Sequence, residues 1–465
     1  MITRRSFLTG ALAAGALVAA GPVAAQAASV GRLRRPGSLP DPRRPPGTHD
    51  PSTPIEHIII VMQENHSFDE YLGMLPRRGQ HLADGFTFAS DGKPINANPR
   101  AHGGIQRAFR RTSYCPGGSA GQSWKSTYLS VDGGRMDGFA RLDPGSMGYF
   151  DEPDIPFYYS LAKTFALANR WFASAPAQTY PNRRFLYAGT AQGTISTDNS
   201  NFTLPPPAAG SIQDSLVRYG IGWRDYVTDL PDTAIVPSNI ERYPECYTSI
   251  AQFYADCALG TLPAVSFVES DGGVPGIVGG PLADFLRSTK VPLPSAVQTS
   301  LYQFQAAGGD EEGDDVRIGE AFVSRVVRAV IASPAWKRTL LVWCYDEHGG
   351  YYDHVRPPAA IAPDAIRPRL SAGDPPGGYD RYGVRVPAVV VSPWSRPHAV
   401  SNVIHDHTSV LAEIERTWNL PALTWRDANA TGLRDFLDFR RPALLTPPPL
   451  AAPGAPHLAG CSPGN

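Results

Sequence analysis

Four runs of hydrophobic residues stand out along the chain because they do not alternate with polar ones. They are HIIIVM (57–62), PAVSFV (263–268), TLLVWCY (339–345) and VPAVVVSPW (386–394). A strand with one face in water alternates apolar and polar positions, whereas a strand covered on both faces is apolar throughout. The runs therefore predict strands of a parallel sheet lying beneath helices. Between them the period changes. In DVRIGEAFVSRVVRAVIASPAW (315–336), Ile318, Phe322, Val326, Val327 and Val330 share one helical face, with Asp315 as the N-cap. In SVLAEIERTW (409–418), Val410, Ile414 and Trp418 do the same. The expected class is α/β, a largely parallel central sheet sandwiched by helices.

Both ends depart from this alternation. Residues 1–27 place Arg4-Arg5 ahead of Phe7-Leu8, an Ala-rich apolar stretch and Ala25-Gln26-Ala27. That order predicts a twin-arginine signal peptide with a small-residue cleavage site, read by the twin-arginine export machinery. The expected destination is periplasmic or extracellular. Residues 28–54 are basic, Pro-rich and aperiodic, and predict a flexible leader; residues 447–465 predict a matching Pro-rich tail. The core domain then spans 55–446. No further segment reaches membrane-spanning length, so no transmembrane segment is expected in the mature chain.

Composition narrows the chemistry. With 42% hydrophobic and 18% charged residues among 465, the chain can bury a sizeable core. Its formal net charge is −1, and loss of residues 1–27 leaves 40 basic against 43 acidic side chains. There is no overall basic field for nucleic acid. Of five cysteines, Cys246 and Cys257 are spaced to close a small loop, Cys344 lies in an apolar run, and no CxxC pair offers a thiolate zinc site.

The candidate chemistry lies where the apolar runs stop. Glu64-Asn65-His66 follow the first run, and Asp346-Glu347-His348-Gly349-Gly350 follow the third, with Asp353-His354 just beyond. Ligands of open α/β sheets bind beyond the carboxyl ends of strands. If these two strands lie close together, their carboxylates and amide oxygen converge as oxygen ligands for a divalent cation. A third element, SAPAQTYPNRRFLYAGT (174–190), puts Thr179 just ahead of a helix opened by Pro181. A hydroxyl there suits a nucleophile on phosphorus, with Asn182 and Arg183 as holders of phosphoryl oxygens.

Taken together, ENHSFDEYLG, TYPNRRF and YDEHGGYYDHVRPP resemble the bacterial phosphoesterase family of phospholipases C and related acid phosphatases, whose fold is alkaline-phosphatase-like. The pieces GGRMDGFA, LPAVSFV, YGVRVPAVVVSPW and DHTSVLAEIERTW extend the resemblance, in order, from about 55 to 420. It implies Glu64, Asn65, Asp346 and Glu347 as metal ligands, with Asn65 also facing phosphate. It implies Thr179 as the nucleophile of a phosphoenzyme. His348, His354 and His407 sit in matching motifs as supporting residues around the site. The implied substrate is a phosphoester, either a phospholipid or a soluble phosphomonoester.

Two departures qualify that reading. The family carries a His, a Trp two residues on and another His four beyond, shortly before GGRMDGF; here Gln122 and Tyr128 stand at the imidazole positions. A further His-Pro pair usually precedes the DVRIGEAF helix, and Glu312 lies near that His position. Without those imidazoles oxyanion stabilisation is weaker. The alternative reading is a catalytically weakened relative that binds a ligand on the same scaffold. An esterase with a Ser-His-Asp triad is disfavoured, since no G-x-S-x-G elbow is present.

Overall fold

Each of the four continuous apolar runs forms a strand of one eight-stranded sheet in the computed structural model, which describes residues 33–228, 230–269, 281–289, 293, 295, 297 and 315–455. The strands in chain order are β1 (His57–Gln63), β2 (Ala97–Pro99), β3 (Ile105–Arg107), β4 (Phe109–Arg110), β5 (Gly148–Tyr149), β6 (Ala166–Ala168), β7 (Trp223–Val227), β8 (Tyr247–Ser249), β9 (Val265–Glu269), β10 (Thr339–Tyr345), β11 (Ala388–Val391) and β12 (Val400–Ser401). The large sheet runs β12-β6-β11-β10-β1-β9-β7-β8. Neighbours are parallel except at β11, which is antiparallel to both β10 and β6. The apolar run at β11 correctly reports cover on both faces, but burial carries no information about strand direction. At the centre, every residue of β10 and all of β1 except His57 is buried. The one carboxamide in this core, Gln63, accepts from the Tyr158 hydroxyl at 2.7 Å and the Trp343 indole at 3.1 Å, so its oxygen is satisfied away from water.

The two predicted amphipathic helices form as Arg317–Ala332 and Thr408–Trp418. Asp315 is not the cap itself. The residue before the helix is Val316, and Asp315 Oδ1 instead accepts the Arg317 N–H at 3.0 Å, one position early.

The leader and tail need larger corrections. Residues 34–54 do not behave as a free linker: the Arg34 N–H donates to Asn429 Oδ1 at 2.9 Å, and the Asp41 N–H to Asn419 Oδ1 at 2.9 Å. Asn419 Nδ2 returns bonds to the carbonyls of Asp41 and Arg44, and the Asp50 N–H reaches the Thr417 carbonyl at 2.7 Å. The described part of the tail is similarly strapped. The Arg328 guanidinium donates to the Leu450 and Ala451 carbonyls, and the Gly454 N–H to Glu320 Oε2. Irregular backbone held by side-chain amides and guanidinium groups satisfies its polar atoms without any periodic sequence pattern. Residues 1–32 and 456–465, which include the expected signal peptide and the rest of the tail, lie outside the described residues.

Cys246 and Cys257 do not close the loop that their spacing allows. Both thiols are free, as is buried Cys344, while Cys115 is disulfide-bonded. Cys257 is enclosed on its helix, and burial pushes its thiol up to about 12. Sequence spacing could not reveal that the two sulfurs are held apart.

Candidate active site

Strand register is what brings the first two motifs together. β1 and β10 are adjacent and parallel, with His57 opposite Thr339 and Gln63 opposite Tyr345. Glu64 and Asp346 therefore leave neighbouring strand ends in step. The turns then interlock: the Asp346 N–H donates to the Gln63 carbonyl at 3.0 Å, and Asp346 Oδ1 accepts the N–H groups of Asn65 at 3.1 Å and Glu347 at 2.6 Å. Asn65 sits in the left-handed region at φ +70°, which costs a non-glycine residue backbone energy and is commonly retained where geometry matters. Gly349 faces it at φ +60°, and a Cβ there would stand 2.1 Å from the Asn65 carbonyl oxygen. Only glycine allows these two turns to approach so closely.

Thr179 is the first residue of the helix Thr179–Ala188, one position further in than expected, with extended Gln178 before it. The residue is 3% exposed, and its hydroxyl donates to Glu64 Oε1 at 2.9 Å. One turn later Arg183 lies 1% exposed beneath it. The guanidinium bridges the strand ends, pairing through Nη2 with Glu64 Oε2 at 3.1 Å and through Nε with Asp346 Oδ2 at 3.2 Å. Its Nη1 pairs with Asp232, a residue the sequence did not single out. Burial works against the charge on Arg183, but Asp346 and Glu64 hold it on. Burial pushes the Asp346 carboxyl well above the usual range; Arg183 opposes this, and Glu64 and Glu347 add to it.

Two residues assigned to phosphate are differently engaged. Asn182 is buried, with Oδ1 accepting the Ala175 N–H at 2.9 Å and Nδ2 donating to the Ala177 and Gln178 carbonyls. It shapes the loop that delivers Thr179 rather than facing the hydroxyl. Arg183 is consumed by three carboxylates. A sequence shows that these groups can bind phosphate but not that nearer partners claim them first.

The three histidines separate. His407 Nε2 bonds the Asp346 carbonyl at 2.7 Å, and His348 Nδ1 lies 3.1 Å from Glu347 Oε2. Burial pulls both imidazoles down to about 4, so they are neutral props of the carboxylate-bearing turn. His354 belongs to another cluster. Its Nδ1 meets Asp69 Oδ2 at 2.7 Å, and Asp69 and Asp353 both pair with buried Arg385 at 3.0 and 2.9 Å. Among the described residues, Asp69, Asp353 and His354 are the one group of three acid, His or Cys side chains whose ligand atoms all lie within 4.8 Å of one another. Arg385 already neutralises that group, which reads as an internal charge network.

Of the positions where family imidazoles are expected, Gln122 reaches the site, its Nε2 donating to Asn65 Oδ1 at 3.3 Å. Tyr128 instead packs its ring 5.1 Å from that of Trp124. Glu312 lies outside the described residues. Two surface cavities of about 750 and 670 Å³, lined by the 34–52 strap and by the 206–218 region, contain none of the site residues.

The predicted ligand set can be tested on its donors. Glu64, Asn65, Asp346 and Glu347 present oxygen only, at two adjoining strand ends, which suits a hard divalent cation. One guanidinium serves Glu64, Asp346 and Asp232, so three carboxylates share a single cationic partner. The residues fit a cation in kind, with Arg183 as its competitor for the outer carboxylate oxygens.

Comparison with known proteins follows the same outline. The profile of the phosphoesterase family matches residues 55–421. Non-specific phospholipase C6 of Arabidopsis thaliana is 30% identical over 425 positions, taking in 84% of this chain and 74% of that protein. Phospholipase C A of Mycobacterium tuberculosis is 28% identical over 525 aligned positions, taking in 99% and 91%. A solved structure of an alkaline phosphatase superfamily protein from Vibrio parahaemolyticus shares 12% identity over 77% of each chain at a TM-score of 0.31.

Proposed function

The chain belongs to the phosphoesterase family, and on that premise we propose that it is an exported, metal-dependent hydrolase of phosphoric esters, phospholipase C-like, with Thr179 as its nucleophile. The observation that carries this reading is the Thr179 hydroxyl aimed at Glu64 Oε1 from 2.9 Å at the start of a helix. As Thr179 Oγ1 bonds to phosphorus, its proton passes to the Glu64 carboxylate and the ester oxygen departs with the bonding pair. That oxygen takes a proton from solvent water and leaves as an alcohol. Water then cleaves the phosphothreonine and restores the hydroxyl. The positive end of the helix dipole faces the charge that develops on the phosphoryl oxygens. His407 and the Asn65–Gly349 contact fix the Asp346 turn while this happens.

A divalent cation held by Glu64, Asn65, Asp346 and Glu347 would lower the hydroxyl pKa and offset phosphoryl charge. Relatives named as phospholipases C from a plant and a mycobacterium support a phospholipid head-group ester as substrate. Export rests on Arg4-Arg5 and the apolar stretch after them. The weakened-relative reading draws on Gln122, an amide that cannot serve as an acid where the family has imidazole.

A hydrolysis screen over phosphomonoesters, phosphodiesters and phosphatidylcholine, with metal analysis, separates the two. Thr179→Ser should retain part of the turnover, while Thr179→Val and Thr179→Ala abolish it with metal content intact. Loss of a helix-end hydroxyl alone costs only about 0.5–2 kcal/mol of stability. Val and Ala variants that turn over within a few-fold of the parent would remove Thr179 from the mechanism.

A further inference from the structure

Between Asp91 and Asp132 the chain carries no carboxylate side chain but six cations: Lys93, Arg100, Arg107, Arg110, Arg111 and Lys125. Two of these are internally committed, Arg110 to Asp154 at 2.6 Å and Arg111 to Glu70 at 3.0 Å. Arg107 on β3 and Arg100 in the turn after β2 are exposed and form no ion pair among the described residues, although the Arg100 guanidinium donates to Gln106 Oε1. The hairpin is rooted by its inner face: Asn98 Nδ2 donates to the Met136 carbonyl at 3.1 Å, and Asn96 Nδ2 to the Tyr352 hydroxyl at 3.3 Å. Side chains alternate along a strand, so the outer face of the segment presents Ile105, Arg107 and Phe109 in sequence. Ile105 is 60% and Phe109 39% exposed. Apolar residues flanking an unpaired arginine in water are costly to leave bare, and nothing in the described chain covers them.

We propose that the outer face of this hairpin, Ile105, Arg107 and Phe109, docks the protein on an anionic phospholipid bilayer, with Arg100 at the exposed turn adding charge. The chemistry matches on both counts, since guanidinium groups meet lipid phosphates while the isoleucine and phenylalanine enter the acyl boundary. A nucleic acid would use the charges but leave the apolar pair exposed. The placement also relates to the candidate site. Immediately after Arg110, Arg111 stacks 5.1 Å over the Tyr351 ring and holds the Gly117 carbonyl. The loop it anchors then gives the Ala120 N–H to the Gly350 carbonyl and Gln122 to Asn65. The docking strand thus continues directly into the loop bordering Glu64 and Thr179. The inference deepens the phosphoesterase reading by naming a bilayer-presented substrate, but its test does not depend on turnover.

Full-length mature protein is sedimented with phosphatidylcholine vesicles containing or lacking phosphatidylglycerol, at low and high salt. The parent should partition onto the phosphatidylglycerol vesicles and be released by salt. Removing both charges in R100S/R107S should lower that partition about thirtyfold, and I105E/F109E should abolish it, with unchanged melting curves and unchanged turnover of any soluble phosphoester the parent hydrolyses. A parent that stays in the supernatant, or variants that partition like the parent, overturns the proposal. So does a parent dimer that these variants dissolve, because the face would then serve a second copy of the chain. A parent that binds vesicles but hydrolyses nothing refutes the proposed function and leaves the docking face standing.

Discussion

Replacing Arg183 with leucine isolates the electrostatics of the site. The parent guanidinium is fully enclosed and meets Glu64, Asp346 and Asp232 together. Leucine fills much of the stem volume but leaves fully buried Asp346 and the largely buried Glu64 and Asp232 carboxylates without their shared cation. Removing one partner of a buried charge cluster costs about 3–5 kcal/mol, since the abandoned charges keep their desolvation penalty. In chelator, the urea midpoint of R183L should therefore fall by an amount equivalent to that range. A divalent cation reverses the comparison. It now enters a site without its cationic competitor, and at a concentration of 100 Kd it restores about 2.7 kcal/mol. The parent should gain less from the same addition. Tryptophan fluorescence suits the assay, because Trp343 is buried on β10 directly before the site. An R183L variant within about 0.5 kcal/mol of the parent in chelator would falsify the buried-charge account. A variant indifferent to magnesium, calcium, manganese and zinc would dismiss Glu64 and Asp346 as cation ligands.

Two further outcomes follow from geometry outside Arg183. Gly349→Ala must relieve a 2.1 Å approach to the Asn65 carbonyl at a positive φ, so it should displace Asn65, cost about 1–3 kcal/mol and remove most phosphoesterase activity; unchanged turnover with an unchanged melt would contradict this. For His354, burial alone would pull the pKa down, but Asp69 and Asp84 outweigh it and hold it at about 10, above the ordinary 6.5. Its stabilising contribution is therefore complete below about pH 6.5 and is lost as pH rises through about 10. Unfolding midpoints of the parent should decline more steeply across that window than those of His354→Gln, and superimposable pH profiles would reject the pairing.

The parts of the fold legible in the sequence are those that repeat. Ile58–Met62 and Leu340–Tyr345 announce buried strands because every position is apolar, and the polar residues just after them announce a site because strand ends converge there. What the sequence withheld was pairing. Asp232 opens a single 3-10 turn, Asp232–Ile235, with no pattern to link it to Arg183, 49 positions earlier. Asn182 looks like a phosphate ligand until the Ala175, Ala177 and Gln178 backbone is seen to occupy it. A buried arginine implies carboxylate partners but does not say which. The direction of β11 was equally hidden, since the side chains of Ala388–Val391 serve a parallel and an antiparallel neighbour alike. Residues 34–54 read as linker because coil fastened by Asn419 has the same composition as coil fastened by nothing.

The adjacency of β1 and β10 also sets a schedule for synthesis. Gln63 and Tyr345, which meet at the rim of the site, are 282 residues apart in the chain. At translation rates of roughly 5–20 residues per second, about 15 to 55 s separate their appearance. Throughout that interval Glu64 exists without Asp346, and the left-handed turn at Asn65 has no facing glycine to lock against. β9, the other neighbour of β1, emerges earlier and can pair first, but it brings neither Asp346 nor Glu347. The candidate site therefore cannot form before β10 has been made. It comes into being only when Asp346 and Glu347 have left the ribosome, long after the Thr179–Ala188 segment has been made.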